Sequence, residues 1–193
     1  MLICVFGGAS KKIDKKYIDE GYNVSYKLAK RGHNLIYGGG SEGLMGAAAR
    51  GFKDGGGKIH GVVPQFFIDG KMETIYDKCD KFTVTKDMTE RKNLMEDECE
   101  AFIITPGGIG TYDELFEILT LKQLGRHDKA IAILNTDGYY DWMIKMMDDC
   151  VEKGFINEQC KKLIKYFTDT DELIKYLESY SPLDIEWQLL KKS

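Results

Sequence analysis

The chain has 193 residues, 43% of them hydrophobic and 30% charged, with a formal net charge of −4; that suits one domain with a well-buried core. There is no basic stripe, so nucleic-acid binding through phosphate neutralisation is not expected, and no apolar run approaches the ~20 residues a membrane span needs. Five cysteines, at 4, 79, 99, 150 and 160, form no C-x-x-C pair, which argues for free thiols in a reducing cytosol and against a disulfide framework or a metal site.

In chain order, "LICVF" (2–6) reads as a buried strand ending in "GGAS". The start "MLICVFGG" is too short, and lacks the basic flank, for a signal peptide. A helical pattern runs from about Asp14 to Arg31, followed by a strand "HNLIY" (33–37) and a helix through "LMGAAARGF". "KIHGVV" (58–63) is a third strand, stopped by Pro64, and "KFTVT" (81–85) a fourth, followed by a helix over "MTERKNLMEDEC". "AFIIT" (101–105) is a fifth, before a helix through "DELFEILTLKQLG". "AIAIL" (130–134) is a sixth, before a helix over "YYDWMIKMMDDCVEKG", and "LIKYFT" (163–168) is a candidate seventh before the helical "TDELIKYLESY". Short apolar strands alternating with helices predict a mostly parallel sheet covered on both faces. The expectation is a single doubly wound, Rossmann-like α/β domain of six to seven strands over residues 1–180. Residues 181–193 form a tail whose Ile185, Trp187, Leu189 and Leu190 need burial on the body or on a partner subunit.

Three glycine-rich turns follow strands: Gly7-Gly8, Gly38 to Gly40 with Gly43, and Gly107-Gly108 with Gly110. In a parallel sheet these turns share the carboxyl edge, where ligands of open α/β sheets bind. Glycine lets backbone N–H groups approach an anion, and a following helix N-terminus favours negative charge. "GGGSEG" (38–43) matches G-x-G-x-x-G, yet it follows the second strand, and the next strand ends "GVVPQ" with no acid for a ribose diol. Tight packing of helix on strand explains Gly43 and Gly46 better than dinucleotide binding does. No P-loop occurs either.

In "TPGGIGTYDE" (105–114), Pro106 ends a strand, the glycines permit an anion-cradling turn, and Thr111 offers a hydroxyl to a phosphate or a cap to the helix. Thr111-x-x-Glu114 also has capping-box spacing, so this stretch alone leaves two readings open. Arg91 and Lys92 stand on the preceding helix, which starts at the same sheet edge.

Together these stretches resemble the LOG (Lonely Guy) family of cytokinin riboside 5'-monophosphate phosphoribohydrolases, whose members often carry the label "lysine decarboxylase". "PGGIGTYDE" (106–114) fits its P-G-G-x-G-T-x-x-E signature and "MTERK" (88–92) its M-x-x-R-K. "YGGGSEGLMGAAA" (37–49), "LNTDGYYD" (134–141) and "CVFGGAS" (4–10) match as well. The resemblance implies hydrolysis of the N-glycosidic bond of a purine nucleoside 5'-monophosphate, with no cofactor. It puts Arg91 and Glu114 at the catalytic positions. Gly107, Gly108, Gly110 and Thr111 match the phosphate loop. Lys92, Glu73, Thr120, Met88, Ser10 and Gly39 match further substrate-contacting positions. It also implies a homodimer with a shared site and with the 88–95 helix near the interface. The apolar Met88, Leu94 and Met95 are compatible with that, although a methionine stripe is more often core. Thr89, Gly7 and Asp113 depart from the residues many members carry, which bears on substrate preference.

Alternatives are a general AMP or purine 5'-monophosphate nucleosidase, a non-catalytic nucleotide or cofactor carrier, and a pyridoxal-dependent decarboxylase, for which the residues offer no support.

Overall fold

Each apolar run becomes a strand: β1 (Leu2–Phe6), β2 (Asn34–Tyr37), β3 (Ile59–Pro64), β4 (Lys81–Thr85), β5 (Ala101–Ile104), β6 (Ala130–Leu134) and β7 (Lys165–Phe167). In this computed structural model, which describes residues 1–184 together with Trp187 and Leu190, they form one parallel sheet in the order β4-β3-β2-β1-β5-β6-β7. The helices are α1 (Lys15–Lys30), α2 (Gly43–Gly55), α3 (Gln65–Asp69), α4 (Met88–Glu98), α5 (Ile109–Gln123), α6 (Asp141–Glu152) and α7 (Thr170–Ser179). This is the doubly wound α/β domain that the alternation of elements predicts. Among the described residues, no helix is long and apolar enough to cross a membrane.

Strand side chains alternate faces, so each central strand serves two cores. Ile3 and Val5 of β1 join Leu28, Phe52 and Leu173, while Cys4 and Phe6 join Met95, Leu115, Ile118 and Met143. Met95 is therefore core.

Besides small shifts at several element ends, such as β7 at Lys165–Phe167 where the sequence predicts 163–168, helices α5 and α3 depart from the sequence expectation. Helix α5 begins at Ile109, capped by Gly108 without a side-chain bond, so Thr111 lies inside its first turn. A capping box needs its threonine outside the helix, and that reading of Thr111 and Glu114 fails. Helix α3 was not anticipated; five residues after Pro64 are too few to show a periodicity.

In the tail, Leu190 is buried and Trp187 packs against the core and on Gly125. Gln123 Nε2 donates to Leu190 O at 3.3 Å. Ile185 and Leu189 lie outside the described residues.

Candidate active site

The strand order reverses at β1, between β2 and β5, and a crevice at that switch point is where such sheets bind ligands. The turn after β1 and the turn after β5 meet there: Gly8 N–H donates to Pro106 O at 3.0 Å. The second glycine turn is used for packing instead. Leu44 N–H, at the start of α2, donates to Gly8 O at 2.7 Å, and Gly43 (φ +58°) leaves no room for a Cβ against that same carbonyl. The α2 N-terminus is thus spent on the neighbouring loop, which agrees with the packing reading of "GGGSEG".

The β5–α5 turn is open. A Cβ at Gly107 would lie 2.1 Å from Thr111 Oγ1, whereas at Gly108 or Gly110 it would meet no protein atom. The protein therefore does not dictate glycine at 108 and 110, which face open space. N–H groups in the first turn of α5 lack intrahelical acceptors and carry the positive end of the helix dipole.

Arg91, from the first turn of α4, is only 4% exposed. Its Nε–H donates to Val62 O at 3.2 Å and its Nη1 to Glu114 Oε1 at 3.2 Å. The guanidinium carbon lies 5.8 Å from the centre of the Phe67 ring on α3. A Cβ at Gly38 would stand 1.9 Å from Arg91 Nη2, so glycine at the end of β2 gives the guanidinium its place. Glu114, on the second turn of α5, is 8% exposed. Burial pushes its carboxyl up to about 7 against the pull of Arg91. Glu73 adds a second carboxyl. Its Oε2 is buried with no hydrogen-bond partner among the described residues, and burial raises it above the usual range.

These groups wall one cavity of about 530 Å³, within the usual range for small-molecule sites. Of the residues singled out in the sequence, Arg91, Glu114, Gly107, Gly108, Gly110, Thr111, Glu73, Met88 and Ser10 line it. One end is an N–H-rich cradle and the wall beside it a buried carboxylate held by a fixed cation, an arrangement suited to gripping an anion while stabilising positive charge nearby. Among the described residues no lysine lines the cavity, so none of them offers a Schiff-base partner to a pyridoxal group.

A family model described as "Possible lysine decarboxylase" matches residues 45–177. Among characterised relatives, the cytokinin riboside 5'-monophosphate phosphoribohydrolase LOG4 of Arabidopsis thaliana is 40% identical over 182 residues, covering 93% of this chain and 83% of that protein. The chain belongs to the LOG family. LOG3 of the same plant is 38% identical over the same shares. The molybdenum cofactor carrier protein of Chlamydomonas reinhardtii (22% identity, TM-score 0.68, 93% of this chain and 98% of that one) has the same fold. So does the molybdenum cofactor binding protein of Rippkaea orientalis (19%, 0.70, 92% and 95%). At those identities the likeness is one of fold alone.

Three positions that the LOG resemblance marks do not line this cavity. Gly39 is buried at φ +78° under Val63. Lys92 and Thr120 line a separate depression on the outer face of α4 and α5, with Ile109 (89% exposed), Tyr112 and Phe116. There Lys92 pairs with Asp113 at 3.0 Å and with Glu117 at 2.5 Å. Phe67 and Tyr139 line the cavity without having been singled out as site residues. Gly7 also has a local cause: a Cβ there would lie 2.1 Å from Thr105 Oγ1, so a larger residue needs a different partner at 105.

Proposed function

We propose that this protein hydrolyses the N-glycosidic bond of a purine riboside 5'-monophosphate, N6-substituted as in a cytokinin nucleotide, to free base and ribose 5-phosphate. The observation that carries the reading is the buried Arg91–Glu114 pair in the same cavity as the β5–α5 glycine cradle. The names of the characterised relatives support the substrate class.

Cleavage passes through an oxocarbenium-like sugar, with positive charge spreading over C1'. The cradle formed by Gly107, Gly108, Gly110 and Thr111 holds the 5'-phosphate, and that remote binding energy positions C1'. Glu114 stabilises the developing charge and orients or deprotonates the attacking water; the electron pair of the broken C1'–N bond leaves with the purine, and the proton that water gives up ends on that nitrogen. Arg91 stays protonated, so it holds the carboxylate in place and is no proton donor. Glu73, with an oxygen that has no hydrogen-bond partner among the described residues, is assigned to a substrate hydroxyl or ring nitrogen.

The working form is assigned as a homodimer in the cytosol. Lys92 and Thr120 face away from this chain's own cavity, beside exposed Ile109 and Phe116, which supports their serving the cavity of a second copy. Free cysteines at all five positions agree with a reducing compartment. Sedimentation at assay concentrations tests the assembly, and a monomer would sink it.

Chromatography of free base released from AMP and from its N6-isopentenyl analogue tests the function. Release from the analogue in preference supports the cytokinin reading. Equal or better release from AMP turns it into a general nucleosidase, and release from neither defeats the reading.

A further inference from the structure

The stretch "LNTDGYYD" takes no part in the chemistry proposed above, yet its two tyrosines reach back to the phosphate cradle. Asn135, just after β6, accepts Tyr140 N–H on Oδ1 at 2.6 Å and donates Nδ2–H to Asp141 Oδ1 at 2.8 Å. Asp137 (φ +52°) and Gly138 (φ +71°) both take left-handed conformations and reverse the chain. Tyr140, fully buried, then donates its hydroxyl to Thr105 O at 2.8 Å, and Tyr139 donates to Gly107 O at 2.7 Å. Between them, Pro106 O accepts Gly8 N–H at 3.0 Å. Three consecutive carbonyls are thus held by three separate donors.

The peptide unit is planar, so fixing a carbonyl fixes the direction of the next residue's N–H. The bonds to Pro106 O and Gly107 O set the N–H directions of Gly107 and Gly108, the residues read as the phosphate grip. Glycine cannot set them itself, because it constrains its own backbone least. Tyr139 is oriented in turn. Its one proton goes to Gly107 O, so Tyr112, whose hydroxyl lies 3.1 Å away, donates to Tyr139. The Tyr139 ring also packs edge-on against Tyr17 at 5.9 Å and Tyr140 at 5.0 Å.

We propose that Tyr139 and Tyr140 are positioning residues that set the geometry of the 105–111 loop and thereby the affinity for the substrate's 5'-phosphate. The inference rests on reading that loop as the phosphate site. Tyr139→Phe and Tyr140→Phe keep the rings and remove only the hydroxyls. Affinity for ribose 5-phosphate, measured by calorimetry, is expected to fall about fivefold in Tyr139→Phe, the equivalent of one neutral hydrogen bond, and by less in Tyr140→Phe, because the residue after Thr105 is Pro106, which has no N–H to aim and only anchors the start of the loop. Turnover at saturating nucleotide should fall by less than the affinity does, because Glu114 and Arg91 are untouched and only the positioning of C1' is loosened. Unchanged ribose 5-phosphate affinity in a folded Tyr139→Phe overturns the proposal. So does a fall in saturating turnover as large as the fall in affinity, the mark of general damage. Should Tyr140→Phe fail to fold, the partly exposed Tyr139 decides alone. A wild-type protein that binds no ribose 5-phosphate defeats the phosphate-loop reading itself, a result separate from any difference between variants.

Discussion

Glu114 links catalysis and stability in opposite directions. Burial moves its carboxyl from an ordinary 4.5 to about 7 in the folded protein. Between those values the native state binds more protons at this site than the unfolded chain does. The site's contribution to stability is therefore highest at low pH and falls as pH rises through that window. The full shift corresponds to roughly 3 kcal/mol. Activity runs the other way: the carboxylate is the working form, so kcat/KM should climb through about 7. The assay is urea unfolding of wild type and Glu114→Gln at intervals from about pH 5 to 8, with the two free energies subtracted. Glu96, also raised to about 7 by burial, is present in both proteins and largely cancels. A constant offset reflects Arg91 left without its partner; the slope reports the ionisation. Relative to the variant, wild type should lose roughly 2–3 kcal/mol across the range. A pH-independent difference would refute the placement of Glu114 as a buried carboxyl that ionises near neutrality.

Three further outcomes follow from contacts. Gly38→Ala pushes a methyl group onto the far end of Arg91, so turnover should drop on the order of a hundredfold while stability falls only about 1 kcal/mol; a parallel collapse of both in thermal melts and assays contradicts this. Gly110→Ala adds a methyl group where the protein has open space. It should melt like wild type yet weaken ribose 5-phosphate binding about tenfold, as a clash with bound ligand would, and calorimetry showing wild-type affinity would sink the cradle. Leu190→Ala removes a buried side chain of the tail and should cost about 2–3 kcal/mol in urea unfolding; a loss under about 0.5 kcal/mol, as for a surface site, would show that the tail adds little to the body.

Much of the fold is legible because its strands are short apolar runs bounded by glycine, proline or charge, and their spacing leaves one helix between most neighbours. The start of α5 is less so. Thr111 looks like a cap, but the chain enters the helix at Gly108, whose missing side chain leaves no capping signature. Helix α3 holds Phe67 against Arg91 within a segment too short to be periodic. Arg91 and Glu114 stand 23 residues apart on different helices, and nothing local joins them; the family signature paired them and the side-chain bond from α4 to α5 explains why. The bonds from Tyr139 and Tyr140 depend on left-handed Asp137 and Gly138; an Asp-Gly pair announces a turn, but not which carbonyls the tyrosines after it reach. Lys92 and Thr120 point outward, and a sequence does not say whether an outward residue serves a second copy.

The central claim is that Glu114 acts on a sugar held by its phosphate. The most direct test is Glu114→Gln assayed with the N6-isopentenyl nucleotide, with binding of ribose 5-phosphate measured on the same preparation. The account predicts that base release falls at least about a thousandfold while the phosphate still binds within a few-fold of wild type. Near-wild-type release by that variant would contradict it, and would return Glu114 to the role of a buried partner for Arg91.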